Sequence, residues 1–196
     1  EHWQRVLSLA QSANQSPVQI ACCLGIHPWF VILQEKQIEN HQDLSLQQQQ
    51  QLSQAVSENI DQIVAIGECG IDVFKAKKNT IDDNELASNI TLQQDFFDMQ
   101  LALASQHNLP IIVHHCQSHH YILAQLKQYK LAKAGVIHAF SGSYQQAKDY
   151  IDLGFKLGVG GTITYPRARK TINAIQRLPL SSLVLETDAP AMPPID

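Results

Sequence analysis

The stretch IIVHHCQSHHY, residues 111–121, places His114, His115, His119 and His120 directly behind an apolar run. Histidine ligates metals and moves protons near neutral pH, so metal or acid–base chemistry is the first reading. Other polar residues occupy comparable places. Glu68 ends the apolar run QIVAIGE, His138 lies near the end of GVIHAF, Asp188 ends SLVLETD, and His27 follows VQIACCLGI. Mixed His/Asp/Glu ligation suits Zn²⁺, Mn²⁺ or Fe²⁺, and Mg²⁺ where oxygen dominates. An ion held by such a set lowers the pKa of its water, and a carboxylate shared between two ions makes a two-metal site. Each residue alone also fits a helix cap or loop contact. Their recurrence at the ends of separate runs is what points to a shared site.

Within the histidine stretch the spacing separates roles. His114 continues its run and reaches the central face, whereas His115 points elsewhere because strand side chains alternate. His119 and His120 fall in the next helical segment. His115 and His119 have the i, i+4 spacing that holds zinc on a helix, but the first histidine is not followed by glutamate as in H-E-x-x-H. Surface or supporting roles are expected for this pair. The run LGVGGTITYPRAR (157–169) invites a dinucleotide reading, yet its third glycine position is Ile163. The glycines are expected to make a tight strand-to-loop turn near an anion, with Arg167 placed to hold a phosphate.

The elements that must position these groups are readable as alternating apolar runs and helical patterns. Strands are predicted within 18–26, 62–68, 110–115, 135–140, 154–161 and 182–188, all continuously apolar as parallel strands covered on both faces are. Capping boxes at Ser45/Gln48, Thr91/Gln94 and Ser143/Gln146 predict helix starts. The first carries Leu52, Val56 and Ile60, the second Leu92, Phe96, Met99 and Leu103. The second stops at Asn108, because Pro110 cannot continue it. Gly154 suits a C-terminal cap, and Pro166 the first turn of a helix bearing Ile172 and Ile175. The glutamines at 47–51 read as a solvated helix face. Repeated β-then-α order gives a parallel α/β fold, either a doubly wound sheet or a (β/α)₈ barrel. In both, strand C-terminal ends form the functional face.

The 196 residues suffice for one core, and the expectation is a single domain over 1–196. Net charge is −4 with no extended basic run, which argues against gripping long nucleic acid by phosphate neutralisation alone. It leaves room for a metal site that handles one or two phosphates. Cys22, Cys23, Cys69 and Cys116 contain no C-x-x-C pair, and three of the four sit in apolar runs or at their ends, which suggests small buried thiols in a reducing compartment. With no signal peptide and no apolar run near ~18 residues, a cytoplasmic protein without membrane contact is expected. Glu1 opens inside a helical pattern and PAMPPID closes in a loop-like one, so a piece of a longer chain is expected at both ends.

The segments LGIHPW, AIGECGIDVF, LPIIVHH, GVIHAFSGS, LGVGGTITYPRA and LVLETDAPAMP, in this order, resemble the TatD family of metal-dependent deoxyribonucleases, in its YjjV-like branch. The resemblance implies a TIM (β/α)₈ barrel of the metal-dependent hydrolase type, with strands three to eight present. It implies metal ligands at Glu68, His114, His138 and Asp188 for two divalent ions (Zn, Mg or Mn). Glu68 would bridge the ions, the two histidines complete one, and Asp188 bind the other and help activate water, making Glu68 and Asp188 catalytic. His27 matches the family's G-x-H-P position and, with Arg167, would contact substrate. The activity implied is hydrolysis of phosphodiester bonds at DNA ends or in short oligonucleotides, with no obligate protein partner.

The chain departs from the family pattern in lacking an H-x-H pair. Cys116 stands where an arginine is common, and His115 where serine is. The 196 residues alone are therefore expected to hold the second ion weakly and to hydrolyse poorly. Two other readings stay open: a metal-dependent hydrolase of another ester or amide, and a non-catalytic barrel fragment.

Overall fold

The apolar runs become six short strands in the computed structural model, which describes residues 2–13, 20–34, 41–189 and 192–195. These are β1 (Cys22–Leu24), β2 (Ile63–Asp72), β3 (Ile111–Cys116), β4 (Gly135–Ile137), β5 (Lys156–Val159) and β6 (Leu183–Leu185). All pairs are parallel, and the order across the sheet is β1-β2-β3-β4-β5-β6. A doubly wound sheet reverses direction part-way across. A monotonic order with a helix in each crossover is the winding of a TIM barrel, and it decides between the two architectures.

The helices are α1 (His2–Ala13), α2 (Pro28–Gln34), α3 (His41–Glu58), α4 (Val73–Asn79), α5 (Asp83–Gln106), α6 (His119–Leu126), α7 (Tyr144–Asp152) and α8 (Arg169–Ile175). The inner faces of α1 to α7 and the strands form a common apolar cluster that includes Leu24, Leu52, Val56, Ile66, Phe97, Leu101, Ile111, Ile137 and Leu157. Among the described residues no helix is long and apolar enough to cross a membrane.

Helix starts differ from the sequence reading in instructive ways. The Ser143–Gln146 capping box of α7 forms as expected, and Gly154 follows that helix at φ +89°. By contrast α3 begins at His41, so Ser45 is inside it, although Leu52 and Val56 are buried as predicted. α5 begins at Asp83, eight residues before Thr91. Its N-cap is Asp82, whose carboxylate accepts from the backbone N–H groups of Asn84 and Glu85. The helix ends at Gln106, with Asn108 at φ 52° turning the chain before Pro110. Pro166 opens a 3₁₀ turn, Pro166–Ala168, and α8 starts only after it.

The early start of α5 matters because its buried face is not purely apolar. Gln93 and Gln100, two turns apart, are fully buried. Gln100 Oε1 accepts from Ile26 N–H (2.7 Å), and its Nε2 donates to Ile26 O (3.2 Å) and Phe96 O (3.1 Å). Gln93 Oε1 accepts from Asp72 N–H (2.7 Å), while its Nε2 donates to Asn89 Oδ1 (2.7 Å). A helix amide thus satisfies backbone groups where β1 and β2 end, which would otherwise be buried without partners. Both contacts sit beside residues of the site described next.

Replacing Gln100 with Leu keeps the volume and orphans the Ile26 backbone groups. Urea unfolding is expected to show a loss of about 1–3 kcal/mol, whereas an unchanged midpoint would mean that the amide clamp is inert.

Candidate metal centre

β2 runs four residues past Glu68 and ends at Asp72, so two carboxylates rather than one project from it. β3 lies beside it with Gly70 opposite His114. Gly70 has φ +143°, and a Cβ there would meet His114 O at 2.2 Å, so only glycine lets the two strands approach this closely. His114 then reaches both acids. Its Nδ1 lies 2.9 Å from Glu68 Oε1 and its Nε2 3.0 Å from Asp72 Oδ2.

Asp72 is held from every side. Its Oδ1 caps α4 by accepting from Lys75 N–H (2.7 Å), and Oδ2 also accepts from the Trp29 indole N–H (2.7 Å). A buried carboxylate bonded to the far nitrogen of an imidazole fixes the ring and its tautomer. His114 therefore donates from Nε2 to Asp72 and turns Nδ1 toward Glu68, to which it also donates when the ring is charged.

His27 enters from the loop after β1. Its Nε2 lies 3.4 Å from Glu68 Oε1 and 3.2 Å from His114 Nδ1. His27, Glu68 and His114 each offer a ligand atom, all within 4.8 Å of one another, a donor set that fits a divalent cation. The His27 tautomer adds a distinction that distance alone does not. Its Nδ1 accepts from Trp29 N–H (3.1 Å) at the start of α2, where Pro28 occupies the first helical position. A backbone N–H only donates, so the neutral ring holds its proton on Nε2 and faces the site as a donor. That suits contact with an anionic oxygen better than ligation.

A second constellation stands at the ends of β4 and β6. His138 Nδ1 lies 2.8 Å from Glu186 Oε2, and Asp188 Oδ1 3.6 Å from His138 Nε2. Glu186 Oε1 also accepts from Ala139 N–H (2.6 Å). The glycine run has its explanation here. A Cβ on Gly158 would meet the Glu186 carboxylate at 2.3 Å, and one on Gly161 would meet Met192 O at 2.7 Å. The glycines make room for Glu186 and the closing segment; the nearby anion is a side chain of the protein itself.

The electrostatics tie the two sets together. Burial opposes the charge on Glu68, but contacts with His114 and His27 and the positive potential of His114 and His138 outweigh it, and its pKa lies well below the usual carboxylate range. Burial likewise opposes charge on His114, yet Asp72 and Glu68 push its pKa up to about 9. For His138 the Glu186 contact dominates, opposed by burial and aided by Glu68 and Asp188, and the pKa is again about 9. Imidazolium here neutralises carboxylates that would otherwise repel one another.

The four clustered histidines separate cleanly. His115 packs against Phe140 and Tyr150, behind the strand, and neither ring nitrogen has a hydrogen-bond partner among the described residues. Burial first, then His119 and His114, lower its pKa to about 4. His119 pairs with Asp149 at 3.2 Å, and His120 is exposed. Of the surface or supporting roles expected for the pair, the shielded ring nitrogens of His115 fit the supporting one.

Arg167 is exposed, with its guanidinium over the Tyr165 ring at 4.7 Å. Asp72, Glu186 and Trp29 were not singled out from the sequence. Asp72 was hidden by ending the β2 run at Glu68, and Glu186 by carrying the last run through to Asp188.

The chain resembles known proteins along most of its length. The sequence model of the TatD related DNase family matches residues 1–196. The chain is 45% identical over 193 residues to the Escherichia coli K12 protein called uncharacterized metal-dependent hydrolase YjjV, covering 98% of this chain and 65% of that protein. The crystal structure of E. coli YjjV superposes with a TM-score of 0.76 at 41% identity, over 98% of this chain and 65% of that one. A Klebsiella pneumoniae protein named 3'-5' ssDNA/RNA exonuclease TatD is 34% identical over 137 residues, 69% of this chain and 48% of that protein. The chain thus spans less than two thirds of the length of these relatives.

The shifted pKa values carry a sign. His114 rises from 6.5 to about 9 on folding, so its contribution to stability is complete below 6.5 and is lost as pH rises through 9. Glu68 shows the same contact from the other side, with stability present above its unfolded value of 4.5 and lost in strong acid. For metal-free protein the denaturant midpoint is expected to drop as pH rises from 6.5 through about 9. Asp72→Asn should flatten that fall, and an equally steep profile in the variant would contradict the assignment.

Proposed function

This chain belongs to the TatD related DNase family, and from that membership we propose a divalent-metal-dependent hydrolase that cleaves phosphodiester bonds of DNA, at ends or in short oligonucleotides. The observation that carries the reading is Glu68, a charged carboxylate flanked by His114 and His27 and within the field of His138.

In this reading Glu68, His114, His138 and Asp188 would hold two divalent ions (Zn, Mg or Mn). Such ions supply Lewis acidity, ionising water near neutral pH and neutralising charge on the scissile phosphate. The protein does the positioning. Asp72 and Glu186 lock the His114 and His138 rings through their far nitrogens, which is how outer carboxylates raise ligand basicity. Asp188, whose side chain is 39% exposed, takes the proton from the attacking water on Oδ1 and passes it to solvent. His27 Nε2–H donates to a phosphate oxygen, in keeping with its tautomer, and Arg167 contacts the phosphate chain. The cytoplasm is the proposed location, supported by Cys22, Cys23, Cys69 and Cys116 all being free thiols.

A second reading, in which the same machinery attacks another ester or amide, is favoured by Cys116. A cysteine brings no positive charge for a phosphate, and burial first, then Asp72, push this thiol up to about 12, so it stays neutral.

Chelator-sensitive nucleotide release from single-stranded DNA supports the first reading, and chelator-sensitive cleavage of a carboxyl ester without nucleotide release supports the second. Glu68→Ala and His138→Ala are each expected to lower kcat/KM for DNA about a hundred-fold or more and to reduce bound metal. Unchanged metal content in both variants would remove the basis of the reading.

A further inference from the structure

Beside the cluster, α2 and α4 pack together and expose aromatic rings instead of burying them. Trp29 is 42% exposed and Phe74 43%. Each ring is covered by a lysine: Lys75 Nζ lies 4.9 Å from the Trp29 ring centre and Lys78 Nζ 4.2 Å from that of Phe74. These helices follow β1 and β2 directly, so the rings stand at the strand ends where His27 and Glu68 emerge. The link to the cluster is short. Trp29 donates to the same Asp72 oxygen that contacts His114, and its ring centre is 6.3 Å from that of His114.

We propose that Trp29 and Phe74, with Lys75 and Lys78, form a stacking shelf for the bases of a single-stranded nucleic acid whose phosphate lies at the cluster. The inference rests on the nucleic-acid reading above and deepens it, naming the substrate form and the residues that seat it. Exposed aromatics interleaved with lysines are the elements of a single-strand platform, since every base has a π-face and every linkage a charge. A chain of net charge −4 that nevertheless gathers Lys75, Lys77 and Lys78 on one short helix beside its acidic cluster has charge complementarity to phosphate at this place. Paired bases inside a duplex cannot lie on such rings. A flexible lysine over an exposed ring is a weak contact, so a base displaces it, and the freed ammonium turns to the neighbouring phosphate.

The bland alternative is that the lysine stems merely cover apolar surface. Metal-free binding separates the two without depending on turnover. Tryptophan fluorescence and anisotropy of a labelled single-stranded octanucleotide are read in EDTA at low salt, beside an abasic octamer of the same length. Phe74→Ala is expected to weaken the normal octamer about ten-fold and leave the abasic one unchanged, with Phe74→Trp restoring affinity. Lys75→Ala/Lys78→Ala is expected to weaken both alike and to reduce the salt slope by about 1.4. Equal binding of both octamers, an unaffected Phe74→Ala protein, or no octamer binding in EDTA each overturn the shelf. Metal-dependent nucleotide release could survive all three results, so the shelf fails separately from the functional reading.

Discussion

A carboxylate withdrawn from water must be compensated, and at Glu68 the compensation is supplied by imidazoles. Its charge is retained only because His27 and His114 touch it and His138 lies within its field. His27 and His138 follow β1 and β4 and His114 lies in β3, so the compensation exists only when the parallel sheet has formed in its observed order. The same arrangement primes the site for cations. A divalent ion held there would supply the positive charge that imidazolium provides without it, and its binding would release protons from the rings.

The surrounding structure reads as a set of devices for holding that constellation still. Asp72 is fixed by an indole, a helix start and a buried glutamine, and in turn fixes His114. Glu186 does the same for His138, in space left by the missing side chain of Gly158. Gln100 holds the backbone immediately before His27. Such buried polar contacts add little net stability when complete and cost much when broken. Their value lies in geometry: they set which nitrogen of each ring faces the cluster.

Much of this was legible in the sequence, for definite reasons. Continuous apolar runs ending in His, Glu or Asp mark buried parallel strands, and that pattern singles out Glu68, His114, His138 and Asp188 for the strand ends. Alternation along β3 separated His114 from His115. Other features left no periodic trace. α5 looks unpromising over DNELASNI because its buried face carries Asn89 and Gln93; Gln93 serves the Asp72 backbone N–H and Asn89 accepts from Gln93. The extension of β2 to Asp72 is interrupted in sequence by glycines, whose role appears only once β3 lies against them. The His27 tautomer depends on a single backbone N–H and has no sequence signature at all.

The claim beneath all of this is that these convergent side chains hold divalent cations. Anomalous diffraction from crystals grown with Mn²⁺ tests it most directly. The account predicts a peak at bonding distance from Glu68 and from His114 or His138, with Asp72 and Glu186 still on the far side of their rings. Strong peaks confined to other surfaces, with Glu68 left bonded only to its histidines, would contradict it.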